Sequence, residues 1–319
     1  MSENVITSYK AFDKNMQCRG FQYEVGKEYE MDGKIKCCNR GFHACKSPLE
    51  VWDYYDMLKS RFAEVEQSGK IDEEEKSTKV CSSHIKIRAE LKLADIINIG
   101  VEWLKDITSP SKVQTDGALN ENRVRKKQIG SSGDYAQIGS SGDYAQIGSS
   151  GYSARIGSSG YSARIGSSGD SAQIGSSGDY AQIGSSGDYA QIGSSGDSAQ
   201  IGSSGDSAQI GSSGDYAKIG SSGYSAKIGS SGDSAKIGSS GDSAKIDSTG
   251  EDSVIMCAGN SSIAKAKVGS WITLAEWKWS DEKKRDVPVC VKTEYVDGEN
   301  IKADTWYQLK NGKFVEVND

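Results

Sequence analysis

Histidine occurs twice and cysteine seven times in the 319-residue chain, and four of these nine side chains fall within a single run, Cys37-Cys38-Asn39-Arg40-Gly41-Phe42-His43-Ala44-Cys45. Thiolates and an imidazole this close form the kind of ligand set that zinc takes. A cysteine beside a histidine is also the pairing of a thiol nucleophile with its base. Neither chemistry is completed locally. A structural zinc site needs a second ligand pair at its own short spacing, and here Cys18, Cys81 and His84 would have to be carried in by the fold. A structural role for these residues is therefore favoured over a metal. An enzyme in this segment would have to be built around His43, Cys45 or His84. The chain shows no paired carboxylates, phosphate-cradling glycine loop or Ser/His/Asp arrangement in a supporting context. The expectation is a protein that is not an enzyme, with no catalytic residue, no metal and no cofactor.

The elements that would position these residues lie in a first segment, 1–128, which reads as a small α+β domain. Gln22 to Met31 suggests a strand pair. Pro48 to Met57 suggests a helix with Ser47 as its N-cap. Val80 to Leu93 contains the alternating His84-Ile85-Lys86-Ile87-Arg88 of a half-buried strand, and Leu93 to Asp106 reads as a helix that closes before Pro110. A last segment, 260–319, reads as a small antiparallel β cap. Its strands are Trp271–Trp279, Val287–Tyr295, and Trp306–Leu309 with Phe314–Val317 around the turn signal Asn311-Gly312. An odd cysteine count and a polar start (Ser2, Glu3, Asn4) point to free thiols in a reducing compartment, the cytoplasm of the host cell.

Composition separates the middle from both flanks. Of 38 glycines, 26 lie between Ile129 and Lys245, where proline, cysteine and tryptophan are absent. Collagen is excluded, because glycine is not every third residue and the whole chain holds 3 prolines. No apolar run approaches the ~18 residues of a spanning helix, so no membrane partner is expected. Net charge is −6, which argues against a nucleic-acid partner. The one basic cluster, Arg123, Arg125, Lys126 and Lys127, reads as a solvated junction.

From Ile129 the unit Ile-Gly-Ser-Ser-Gly-Asp-Tyr-Ala-Gln returns every nine residues, in thirteen full copies ending at Lys245. A flexible Gly/Ser linker has no reason to hold isoleucine in register. Here Ile, two glycines and Ala persist, while variation is confined to Asp/Tyr, Tyr/Ser and Gln/Arg/Lys. That is a core with a decorated outside, and fixed-period similarity marks a stacked architecture. Taking Tyr-Ala-Gln-Ile-Gly as a strand sends Ala and Ile to one face, Tyr/Ser and Gln/Arg/Lys to the other. Gly-Ser-Ser-Gly would then turn the chain, its glycines free to adopt positive φ. The fold expected is mainly β: a central parallel β-solenoid over 129–259 with about 18 residues per coil, flanked by the two segments above. Isolated units cannot fold, and stacking must supply what each lacks.

Tyrosine with glutamine and arginine makes good interface chemistry. The candidate binding surface is accordingly Tyr135, Tyr144, Arg155, Arg164, Tyr180, Tyr189, Tyr216, Lys218, Lys227 and Lys236. The alternative is a solvated sheet whose ladders only stabilise stacking. A calcium-binding nonapeptide fits poorly, since Asp falls at place five counted from Gly130, Gln sits at place eight, and Tyr152, Tyr161 and Tyr224 replace Asp. A DNA-mimicking rod would want more negative charge than the repeat carries.

Two flank motifs carry a resemblance. Cys18-Arg19-Gly20-Phe21-Gln22-Tyr23-Glu24-Val25-Gly26-Lys27-Glu28-Tyr29 with Gly41-Phe42-His43-Ala44-Cys45 resembles an uncharacterised domain of bacteriophage and prophage proteins that precedes short Gly/Ser/Ala-rich repeats. Gly269 to Trp277 and Thr305-Trp306-Tyr307 resemble that family's tail. The repeat departs from the family's more frequent spacings, so coil geometry does not transfer. The resemblance implies a phage or mobile-element origin and no known activity. The expected function is a non-enzymatic phage protein that binds and inhibits a host protein of antiviral defence, through the first domain or the solenoid surface. A virion-associated rod for adhesion or assembly is the alternative. A homodimer through the flat solenoid face is a further expectation.

Overall fold

The computed structural model describes residues 5–74, 77–107, 118–120 and 128–318, which divide into two units, Met1–Trp103 and Leu104–Asp319. The basic cluster at Arg123–Lys127 lies outside the described residues.

The first unit is an antiparallel sheet with one helix. Its strands are β1 (Ile6–Phe12), β2 (Gln17–Cys18), β3 (Phe21–Gln22), β4 (Glu28–Glu30), β5 (Phe42–Cys45), β6 (Arg61–Glu73) and β7 (Lys79–Leu91), followed by helix α1 (Leu93–Ile107). The order is β4-β7-β5-β1-β6, and β6 pairs with β7 as well, so the sheet closes on itself. Inside sit Phe12, Phe42, Val65, Ile85 and Ile87. The amide of Gln67 is buried beside them, and it is bonded at both ends. Gln67 accepts from the Ser8 hydroxyl (2.7 Å) and donates to the carbonyl of Phe42 (2.7 Å) and the hydroxyl of Ser82 (3.1 Å), as burial of an amide requires.

Three local expectations change here. The Gln22–Met31 stretch is not a strand pair: β3 pairs with β2, and β4 pairs with β7. The Pro48–Met57 helix shrinks to a 3-10 turn, Leu49–Asp53, with Pro48 rather than Ser47 at its N-cap position and no side-chain cap bond. A capless segment of this length has little to hold an α-helix together. The third concerns glycine in the repeat, taken up below.

The second unit is a β-solenoid of about eight turns with a spacing near 18 residues. Four-residue strands, such as Gln173–Ser176 and Gln182–Ser185, alternate between two sheets. Sheet I contains Gln137–Ser140, Arg155–Ser158 and every second strand thereafter; sheet II contains Gln128–Ser131, Gln146–Ser149, Arg164–Ser167 and their successors. Each residue pairs in parallel with its equivalent 18 positions on, as Ile156 does with Ile174. Ile and Ala from both sheets fill the core. The repeat pattern fades after Gly259, yet parallel pairing continues to Ile263–Lys265 in sheet I and Trp271–Leu274 in sheet II. Antiparallel strands then close the end: Arg285–Tyr295 on sheet II, and the Tyr307–Lys310/Lys313–Glu316 hairpin on sheet I. Asn311 and Gly312 carry the two positive φ angles, 51° and 67°, that a tight hairpin turn demands.

Tyrosine does not lie in the strands. The Tyr/Ser position is left-handed in every full copy, from Ser153 at φ 51° to Tyr144 and Tyr216 at φ 58°, whereas no glycine of the repeat has positive φ. The corner is therefore made by Asp-Tyr, Asp-Ser or Tyr-Ser, and the strand begins two residues later. Non-glycine residues in this region cost about 1–2 kcal/mol each. Backbone bonds between coils hold them there: the Ser171 N–H donates to the Asp188 carbonyl and the Tyr189 N–H to the Asp206 carbonyl, both at 2.8 Å. The aspartate adds a second bond, its Oδ1 accepting the N–H one coil on, as Asp188 does from Asp206 (2.8 Å). That backbone duty accounts for Asp in the repeat without a cation.

From Gly151 onward the second glycine of each unit serves closeness instead of flexibility. A Cβ on Gly160 would stand 2.0 Å from the carbonyl oxygen of Gly142, one coil away. Inward-facing serines are the weak point of the core. Ser158, Ser176 and Ser194 are completely buried, and their hydroxyls have no partner among the described residues. Ser176→Ala is expected to stabilise the protein by about 1 kcal/mol, because it removes an unpaired buried hydroxyl at almost constant volume. A urea midpoint below that of the parent would contradict this account.

Candidate functional site

The two sheets present different outer faces. In sheet I the Gln/Arg/Lys row is partly covered: Gln173 is 2 % exposed, Arg155 and Lys227 are half-buried, and Gly157, Gly175 and Gly193 are buried. In sheet II the equivalent row of Gln146, Arg164, Gln182, Gln200, Lys218 and Lys236 is exposed along all but the last glycines of the stripe beside it. The predicted surface residues therefore divide. Arg164, Lys218 and Lys236 stand on the open face; Arg155 and Lys227 stand on the covered one.

The tyrosines occupy the corners that lead into the strands. Tyr144, Tyr180 and Tyr216 border sheet II, Tyr135 and Tyr189 border sheet I, and all five are exposed. Tyr161 joins Tyr144 and Tyr180 into one aromatic ridge, with ring centroids 5.9 and 5.3 Å apart. This explains the substitution of Tyr for Asp in that copy: the ring reaches along the solenoid axis to the tyrosines of the coils on either side.

The open face of sheet II is floored by glycine. At Gly148, Gly166, Gly184, Gly202 and Gly220 a Cβ would meet nothing within 4 Å, so neither packing nor positive φ demands glycine there. The result is a shallow groove of about 1180 Å³ running beside the Gln/Arg/Lys row from Gln128 to Lys236. Past Lys236 the same two rows change chemistry. Val254 and Trp271 continue the polar row, and Met256 continues the glycine stripe. All three are exposed, and Trp271 rests on Tyr295 with ring centroids 5.0 Å apart. The sequence pattern places this tryptophan in the cap strand Trp271–Trp279 and marks neither Val254 nor Met256. Their register with Lys236 and Gly238 is the signal that places them on the face, and it was readable from the nine-residue count. Exposed Trp, Met and Tyr at the end of a polar groove are what protein interfaces use as anchors.

In the first unit the Cys/His run is dispersed by the fold. Cys45 is buried, and burial pushes its thiol up to about 12; Cys81 is likewise buried and raised to about 12. Cys37 donates to the Asp72 carbonyl (3.1 Å). His43 Nε2 accepts the Cys38 backbone N–H at 3.0 Å, and burial, with Lys10 nearby, lowers its pKa. His84 Nδ1 bonds the Ser68 hydroxyl at 2.9 Å. Among the described residues no three His, Cys, Asp or Glu side chains converge as a metal site would require, and all seven cysteines are free thiols. No described helix is long and apolar enough to cross a membrane.

No curated protein and no solved structure matches the chain. The first unit does find a relative: over residues 6–99 the chain carries a domain of unknown function, DUF7666.

Proposed function

We propose that the protein acts by binding, and that the open face of sheet II is the surface on which a host protein docks. The observation that carries this reading is the continuity of that face, from a glycine-floored groove edged by Gln, Arg and Lys to the exposed anchor of Val254, Met256 and Trp271. Flat, unbulged β-surface of this length supports contact with a large partner. The Gln/Arg/Lys edge offers adaptable hydrogen bonds, and the apolar end offers desolvated area. The resemblance of the flank motifs to phage and prophage proteins supports the finer reading, a phage-encoded inhibitor of a host defence protein.

The test uses variants that the fold tolerates. Gly202→Lys projects into open space and Met256→Lys is outward-facing, so both should melt as the parent does. Affinity purification from host lysate is expected to recover a specific partner with the parent, and to lose it with either variant. A partner held equally by all three proteins, or no specific partner at all, would sink the reading.

A further inference from the structure

The first unit contains a cleft of about 840 Å³, within the ~300–1,000 Å³ of small-molecule sites. Its walls come from β1, the β2–β3 hairpin, the segment around β5 and the stretch 51–60. The charge of these walls is opposite to that of the chain. Lys10, Arg19, Arg40, Lys59 and Lys79 line the cleft beside one lining carboxylate, Asp13, in a protein of net charge −6, with Lys79 paired to Glu74 at 3.2 Å.

Lys10 is the central observation. It is 4 % exposed, and among the described residues no carboxylate pairs with it. Its Nζ donates to the His43 carbonyl at 2.9 Å and lies 3.6 Å from Cys18 Sγ, which itself sits 2.9 Å from the Tyr55 hydroxyl. Below it are the rings of Phe12 and Tyr23, each with its centroid 5.5 Å away. Desolvation drives the lysine below its usual pKa. A buried ammonium is normally matched by a carboxylate, because an unpaired charge is costly to bury. Among the described residues Lys10 faces a carbonyl, a thiol and two rings, so a ligand anion would be its matching charge.

Beside this cation stands an aromatic surface. Phe21 is 45 % exposed, yet its ring is fixed edge-on against Tyr23 (4.8 Å), Tyr29 (5.3 Å) and Phe42 (6.1 Å). The hairpin that carries Phe21 turns tightly through Arg19 and Gly20, at φ 52° and 79°, which places Arg19 two residues from the ring.

We propose that this cleft binds a nucleotide, its phosphate neutralised by Lys10 and Arg19 and its base stacked on Phe21. An anion alone would use the cations and leave the exposed ring without purpose. An uncharged aromatic would leave Lys10 unmatched. A phosphate joined to a flat heterocycle meets both, since bases stack on aromatic rings and phosphates pair with lysine and arginine. This proposal does not rest on the sheet II reading.

Calorimetric titration of the full chain with AMP, GMP, CMP and UMP, beside inorganic phosphate and adenosine, tests the proposal. At least one nucleotide should bind at least about tenfold more tightly than phosphate or adenosine. Lys10→Met, which keeps length and removes the charge, should weaken that nucleotide by at least about tenfold. Without ligand it should melt no lower than the parent, as a merely structural lysine would not allow. Arg19 is exposed, so Arg19→Ala leaves the fold intact and should weaken binding several-fold even if Lys10→Met proves unstable. Gly202→Lys should bind nucleotide as the parent does. Absence of binding by all four nucleotides at millimolar concentration would overturn the proposal. So would phosphate or adenosine binding as tightly as any nucleotide, or nucleotide affinity unchanged in both Lys10→Met and Arg19→Ala.

Discussion

Gly178→Ala is expected to break the solenoid, while Gly184→Ala, six residues away, leaves it standing. The two glycines look equivalent in the repeat, and their surroundings are opposite. A Cβ on Gly178 would lie 2.1 Å from the carbonyl oxygen of Gly160 and 2.7 Å from its carbonyl carbon. Both are backbone atoms, so no side chain can swing aside. Relief requires the coils to part at that corner, and parting them lengthens the bonds from the Ser162 N–H to the Asp179 carbonyl, 2.8 Å, and from the Ser177 N–H to the Ser158 carbonyl, 2.9 Å. Overpacking a well-packed interior costs about 1–3 kcal/mol where neighbours can shift; here the rigid neighbours put the cost at or above about 3 kcal/mol. Each coil touches only the next, so a break in the middle divides the stack into two short pieces. Thermal melting and limited proteolysis check this. The expected result is a lower midpoint for Gly178→Ala with cleavage near the corner, against a midpoint for Gly184→Ala within about 0.5 kcal/mol of the parent, as at an ordinary surface position. A Gly178→Ala protein as stable as the parent would show that the coils are looser than the close approach implies.

That contrast shows what the repeat made legible and what it did not. Strict isoleucine spacing gave the parallel stack and the 18-residue coil, because a buried row tolerates no slip in register. The corner was not legible. Tyrosine favours strands and glycine favours positive φ, so propensity placed Tyr135 in a strand and the bend at glycine. Inter-coil hydrogen bonds reverse both preferences, and they become visible only when coils are stacked. In the first unit, β1 and β6 escaped notice because Ser8, Lys10 and Gln67 put polar side chains at buried places, where the alternation that marks a strand calls for apolar ones. The cleft was hidden for a different reason. Lys10, Arg19, Arg40 and Lys79 are far apart in sequence and meet only through the closed sheet, whereas the Cys/His run drew attention by being contiguous. Contiguity is a poor guide where a sheet disperses neighbours to opposite faces.

Removing residues 260–319 is expected to convert a monodisperse protein into an aggregating one. The last repeat strands, Lys245–Ser248 and Val254–Cys257, are paired on their far side by Ile263–Lys265 and Trp271–Leu274. Those in turn are covered by antiparallel strands rich in charge, Arg285–Tyr295 and Lys313–Glu316. Without them two parallel edges of unpaired N–H and C=O groups face solvent, flanking the now exposed ends of Ile246 and Ile255, which are buried in the intact protein. An uncovered, flat and apolar edge is a template for pairing with another chain. The coils further back should keep their structure, since each depends on its immediate neighbours. Secondary structure by circular dichroism should therefore persist while sedimentation shows large species that grow with concentration. If the truncated chain sediments as the parent does, the antiparallel end is not what keeps the solenoid's edge from pairing. The acidic and lysine-bearing coil corners alone would then have to do so.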